Sequence, residues 1–186
     1  MKKLLFLFFI GQTLFSQDRP KPEDTEVWEP EPVVVIPGKS SNPPSDAIVL
    51  FDGTDFSKWQ HEQSKKPVQW TLNKDNSMTV KPRTGGIETI EEHGSIQFHI
   101  EWKTPSIIKG KGQGRGNSGI MFQRRYEVQV LDSYNNRTYS NGQASSIYKQ
   151  HIPLVNATRK PGEWQDHDII FNEPEYDNDG EMINSG

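Results

Sequence analysis

The stretch "SIQFHIEWKTP", residues 95–105, alternates without a break: Ile96, Phe98, Ile100 and Trp102 fall on one side, Gln97, His99, Glu101 and Lys103 on the other. Side chains of a β-strand point to opposite faces with a period of two, so this is the pattern of a strand that buries one face. It constrains the fold strongly, because nowhere does an apolar stripe of helical period run for three turns. The same alternation returns in "YEVQVLD", where Tyr126, Val128 and Val130 point one way and Glu127, Gln129 and Leu131 the other. "SGIMFQ" and "YEVQVLD" flank Arg124-Arg125 as a hairpin, and "QWTLNKDNSMTVKP" reads as two strands around Lys74-Asp75-Asn76. "AIVLFDGTDFSKW" ends an apolar run in an Asp-Gly turn, and "EWQDHDIIFN" is a further strand. Short alternating strands separated by Gly, Pro, Asn and Asp predict an all-β sandwich over residues 46–186.

What precedes that region is different in texture. "MKKLLFLFFIGQTLFS" places Lys2 and Lys3 before an apolar run from Leu4 to Ile10, the layout of a secretory signal peptide over residues 1–16. The run is too short and wrongly flanked for a membrane anchor, so the expected location is periplasmic or extracellular. Residues 17–45 hold seven of the chain's 13 prolines and read as an extended arm, within which "VVVIP" is expected to form an edge strand. No cysteine is present, so neither disulfides nor a lipidated cysteine contributes. A formal charge of −4 without a basic stripe argues against nucleic acid. Oligomeric state is not fixed by the sequence.

The five histidines form no metal-ligand spacing such as H-x-H or H-E-x-x-H. "DNDGE" (177–181) has the look of a calcium loop but lacks the distant bidentate Glu, so a hairpin turn is the reading. There is no G-x-S-x-G, and "GQGRGNSG" lacks the lysine of a phosphate-binding loop. Glycines 110, 112, 114 and 116 predict a mobile loop closing one end of a cleft, with Arg115 and Asn117 as candidate ligand contacts. Glu127 and Gln129, two residues apart on one strand face, have the spacing from which β-sandwich enzymes acting on sugars build acid–base pairs. Their face is expected to be concave and solvent-accessible. Asp132 joins it only through a bulge, since simple alternation sends it to the side of Val130. Among the tyrosines, Tyr134, Tyr139 and Tyr148 lie among Asn, Ser, Gly and Gln and suit the wall of a cleft, where rings stack on sugars.

Taken in order, "IVLFDGTDFSKWQ", "FHIEWKTP", "GRGNSGIMFQRRYEVQVLDSY" and "NGQASSIYKQHIPLVNATRKPGEWQDHDIIF" resemble the 3-keto-disaccharide hydrolase family, from about Asp46 to Phe171. The resemblance implies a concanavalin-like jelly roll, similar to laminarinase-type glucanases. It implies a carbohydrate substrate, a glycoside whose C3 hydroxyl is already a ketone, cleaved by hydrolysis or by C2 proton abstraction and β-elimination. On that reading Glu127 is base or acid, Gln129 a neutral donor and Asp132 the partner carboxylate, with Arg115, Asn117, Tyr134 and Tyr148 contacting substrate. A divalent metal is admitted by the resemblance, without ligands visible in the sequence. Two departures stand out. Gln129 replaces an ionisable group of the glucanases, which disfavours the ordinary two-carboxylate mechanism, and His167 stands where an aromatic is expected. A non-catalytic carbohydrate-binding module is the alternative. Because the resemblance stops just after "DIIFN", the chain is also expected to be a fragment, a jelly roll incomplete at its C-terminus.

Overall fold

The computed structural model describes residues 21–39 and 42–186; the signal peptide read over residues 1–16 lies outside the described residues. The chain divides into two compact units, Met1–Phe56 with Gln69–Thr84, and Ser57–Val68 with Gly85–Gly186. Ten short strands make up the regular structure: β1 (Trp59–His61), β2 (Thr71–Leu72), β3 (Met78–Thr79), β4 (Ile87–Thr89), β5 (Ile96–Trp102), β6 (Ser118–Phe122), β7 (Tyr126–Val130), β8 (Gln165–Phe171), β9 (Glu175–Tyr176) and β10 (Met182–Asn184). With three single turns of 3-10 helix as the only helical pieces among the described residues, the protein is all-β.

In the first unit, β2 and β3 pair antiparallel around the expected turn. Asp75 accepts from the Ser77 amide at 3.2 Å, and Asn76 takes the left-handed conformation at φ 60° that asparagine tolerates. Among its described residues the arm contains one 3-10 turn, Pro22–Thr25. Val33–Ile36 form no strand: Val33 and Val34 are each 88% exposed, and the Ile36 carbonyl is met by the Ser45 amide at 3.0 Å. The expected edge strand is therefore corrected to an extended, solvated segment whose β-branched composition finds no partner strand.

In the second unit the alternation of β5 is realised against β8, antiparallel, with Ile96 opposite Phe171 and Trp102 opposite Gln165. The faces separate as the pattern requires. Ile96, Phe98, Ile100 and Trp102 share one face with Ile169 and Phe171, while His99 and Asp168 form an ion pair on the other at 2.7 Å. β6 and β7 form the predicted hairpin, turning through Gln123 and Arg124, both at positive φ. The two ladders meet across a cluster of rings. Phe122 of β6 stacks on Phe171 of β8 at 5.0 Å and receives the edge of Phe98 from β5 at 6.0 Å. Trp102, Val130, Leu131 and Ala144 continue this layer, with Ile120 against them. The two ladders thus pack their apolar side chains together, each strand contributing alternate residues.

His167 occupies an inward position of β8, its ring 5.3 Å from that of Trp102, while Nε2 meets the Ser145 hydroxyl at 2.8 Å. Burial lowers its proton affinity, and the ring fills the slot where the resemblance implied an aromatic. Residues 177–181 form the turn of the β9–β10 hairpin, with Asp177 accepting from the amides of Asp179 and Glu181 at 3.0 and 2.8 Å. This is the hairpin reading of "DNDGE".

After β7 the chain turns through Asn135, forms the 3-10 turn Ser140–Gly142, and returns beside β7. The Ser145 and Tyr148 amides donate to the carbonyls of Gln129 and Glu127, both at 2.9 Å, and the Gln129 amide donates to Ser146 at 3.0 Å. β7 is consequently flanked on both edges, by β6 and by residues 145–148.

Candidate active site

Glu127 and Gln129 leave β7 on the side away from the ring cluster. Opposite them on β6 stand Met121 and Gly119. Glycine at 119 is what lets the carboxylate lie across the ladder, because a Cβ there would come within 2.8 Å of Glu127 Cδ. Glu127 is half-buried, and that burial alone pushes its proton affinity above the usual carboxylate range. We expect Gly119→Ala to leave the melting temperature within a few degrees while lowering turnover about tenfold or more. The methyl group displaces the flexible end of Glu127 rather than backbone, and a carboxylate that serves as base loses rate when it is misplaced by about 1 Å.

Gln129 does not line an accessible surface, contrary to expectation. It is 0% exposed. Residues 142–146 and the Gly112–Gly114 turn cover it. Its amide lies 2.9 Å from the Gln113 amide, 3.2 Å from the Glu127 carboxylate and 3.0 Å from the Ser118 carbonyl. Turning the N–H group toward Glu127 and Ser118 gives both acceptors a donor. Gln129 thus reaches the open face only through Glu127.

Asp132 is also corrected. Strand pairing ends at Val130, and Asp132, 3% exposed, turns to Arg115, whose Nε donates to Oδ2 at 2.6 Å. The same guanidinium donates to the Tyr134 carbonyl at 3.0 Å, and the Tyr134 amide donates to Asp132 Oδ1 at 3.3 Å. Arg115, Asp132 and the Tyr134 backbone therefore form a closed, part-buried network around the buried carboxylate. Asn117 lies in the open but is engaged with Gln113, donating to its carbonyl and side-chain oxygen at 3.0 and 3.2 Å.

The glycine loop is pinned rather than free. Asn136 accepts from the Gly112 amide at 2.7 Å and donates to the Gly112 carbonyl at 3.0 Å, and Gln113 Nε2 donates to the Gly142 carbonyl at 2.7 Å. Its place beside Gln129 is next to Glu127, as the sequence suggested, but its function here is to wall in the strand.

Two phenols complete the open face. Tyr148 follows the bridge between Ile147 and Val128, so alternation puts it on the face of Glu127. Its hydroxyl oxygen lies 2.5 Å from that of Tyr139. The Lys149 ammonium sits 5.1 Å from the Tyr139 ring and 5.8 Å from that of Tyr148. Tyr139 holds its proton up to about 12, first through the bond to Tyr148, with the charge of Glu127 adding to the effect. Of the seven site residues read from the sequence, the structure gathers Glu127, Gln129 and Tyr148, keeps Asn117 at the margin, and withdraws Arg115, Asp132 and the Tyr134 backbone into the part-buried network. Gln113, Gly119 and Lys149 were not singled out. Only Gly119 left a trace, as a glycine inside an otherwise apolar strand.

Among the described residues no group of three His, Asp or Glu side chains is arranged to hold a metal ion, and no helix is long and apolar enough to cross a membrane. A separate groove of about 410 Å³, lined by Trp102, Leu154, Arg159 and His167 among others, does not include Glu127.

An all-β domain thus carries a half-buried carboxylate and paired phenols on the open side of one ladder. The chain belongs to the family of the 3-keto-alpha-glucoside-1,2-lyase-like domain, whose profile matches residues 46–184. The match extends the resemblance read to Phe171 through the β9–β10 hairpin. A crystal structure at 2.13 Å of a candidate glycosyl hydrolase from Parabacteroides distasonis ATCC 8503 is 48% identical. It is superposable with a TM-score of 0.82, over 88% of this chain and 71% of that one. A second candidate glycosyl hydrolase from the same organism, solved at 1.70 Å, shares the fold at 19% identity and a TM-score of 0.51, over 68% of this chain and 65% of the other. No curated protein matches.

Proposed function

We propose that this chain processes glycosides, and that its substrate is a 3-keto-glycoside cleaved at C1 with Glu127 as the base. The observation that carries this reading is the Glu127 carboxylate. It is the half-buried acid of the open face, and burial raises its proton affinity, which makes the carboxylate a stronger base. A ketone at C3 acidifies the proton on C2. Glu127 removes that proton, the electron pair forms an enolate, and the enolate expels the substituent on C1; water adding later completes a net hydrolysis. No oxocarbenium ion is needed, so a single carboxylate suffices where ordinary glycosidases use two. Gln129, being buried, contributes by donating to Glu127 rather than to the sugar. The family name supports the 3-keto substrate, and the names of the relatives support a glycoside. A protein with this substrate and with the N-terminal pattern of residues 1–16 is proposed to act outside the cytoplasm.

The test compares turnover of a 3-keto-glucoside and of its unoxidised parent by the full chain, with and without chelator. Turnover of the keto form alone is the expected outcome, and its loss on chelation would assign a divalent metal to this chain. Saturable binding of both sugars without turnover would replace this reading by that of a carbohydrate-binding module, which the exposed ring of Tyr139 would serve.

A further inference from the structure

Resting on that reading of the site, a second question is where the leaving oxygen on C1 obtains its proton. Glu127 cannot supply it at the moment it is taking a proton from C2. The structure offers another pair of protons beside it. Tyr148 is the cross-strand neighbour of Glu127, its amide donating to the Glu127 carbonyl at 2.9 Å, and the two side chains leave their segments on the same face. Tyr139 reaches Tyr148 from the 3-10 turn, and this approach is built in. A Cβ at Gly142 would stand 2.7 Å from Cδ2 of the Tyr139 ring, so only glycine lets the ring lie against that backbone.

We infer that Tyr148 is the general acid for the leaving oxygen, with Tyr139 and Lys149 stabilising the phenolate it becomes. The 2.5 Å oxygen–oxygen distance means that one phenol proton lies between the two oxygens, which leaves the other available to substrate. When Tyr148 gives its proton up, the Tyr139 hydroxyl donates to an anion instead of a neutral oxygen, and such charge-assisted bonds are about twice as strong. The ammonium of Lys149 close to both rings favours the same state. Tyr139 keeps its own proton throughout, which its rise to about 12 permits. The balance closes without a further reagent. Glu127 takes the C2 proton, the C1–O bond breaks, and the leaving oxygen takes the Tyr148 proton. A neutral alcohol and an unsaturated keto sugar depart. The carboxylic acid of Glu127 then returns its proton to the phenolate through water.

The experiment measures kcat/KM of wild type, Tyr148→Phe and Tyr139→Phe in the full chain, on 3-keto-glucosides carrying an alkoxide and a 4-nitrophenolate leaving group. Protonation matters for the first and hardly for the second. Tyr148→Phe is expected to lose about 100-fold or more on the alkyl substrate, and less than about tenfold on the nitrophenyl one. Tyr139→Phe, which keeps the acid but removes its support, should fall between on the alkyl substrate. It also stands in for Tyr148→Phe if the latter fails to melt cooperatively. Equal losses on both substrates would mark the tyrosines as structural or binding groups and overturn the assignment, as would no loss on either. A wild-type chain that turns over the unoxidised glucosides or neither form would instead remove the 3-keto reading, and this assignment with it.

Discussion

Glu127→Gln is expected to retain the fold and lose about 10²- to 10⁴-fold in turnover of a 3-keto-glucoside, the usual worth of a positioned general base. The substitution keeps the shape of the side chain and an oxygen to accept from Gln129, while removing the proton acceptor. Its effect on pH dependence separates it from a mere perturbation. A base acts when ionised, so wild-type activity should rise with pH through the Glu127 titration, and burial sets that limb above the ordinary value of 4.5. In Glu127→Gln the limb disappears. Stability moves in the opposite direction. A carboxyl whose proton affinity is raised by folding contributes stability that is fully present below its unfolded pKa and lost as pH rises through the folded one. At neutral pH the buried charge is therefore a burden, and the neutral amide should melt at the same temperature as wild type or slightly higher. Near-normal kcat in the variant would move the chemistry to another residue.

What the sequence disclosed and what it concealed follow from the range of the interactions. Period-two alternation is local, and it placed β5, β7, β8 and the β6–β7 hairpin, because each strand carries its own record of which face is dry. Turn chemistry is local as well, so Lys74-Asp75-Asn76 and "DNDGE" were legible. An amide alternating with valines looks like a wet face, and what dries Gln129 is the return of the chain at Ser145 and Ser146, sixteen and seventeen residues later. That returning segment, "ASSIYK", has no alternation of its own, and Ser145 and Lys149 adopt positive φ of 68° and 62° that few side chains favour. Nothing local announces it as a partner of β7. The glycine loop misled for a related reason. Its composition permits many backbone shapes, but Asn136 and Gln113 select one. The arm shows the converse: Val33–Ile36 have the composition of a strand and lack a partner, and composition alone does not order a backbone.

The most destabilising change expected in the molecule is far from any proton transfer. Asp132→Asn or Arg115→Met should each lower unfolding free energy by about 3–5 kcal/mol, measured by urea melts. The side chains are 3% and 11% exposed, and their bond at 2.6 Å is backed by the Tyr134 carbonyl and amide. Removing one partner leaves the other as a charge without water and without a counter-ion, which is costly in a way that an exposed pair is not. Against a total stability of about 5–15 kcal/mol for an ordinary domain, such a loss is large. Removing both should be far cheaper: Asp132→Leu combined with Arg115→Met replaces two desolvated charges by apolar groups, and the cycle of wild type, Asp132→Leu, Arg115→Met and the double variant should show strong coupling. Arg115→Lys is expected to behave like Arg115→Met rather than like wild type, since one ammonium cannot serve the carboxylate and the Tyr134 carbonyl with the same planar fork. The series also decides between the two roles open to Asp132. A partner carboxylate in catalysis would let Asp132→Asn melt normally and turn over slowly, and Arg115→Met would weaken substrate binding. A buried counter-ion makes both variants unfold early together, with activity per folded molecule largely kept at low temperature. Three percent exposure favours the second outcome, because a side chain so nearly closed off from solvent and held by Arg115 has little access to a substrate.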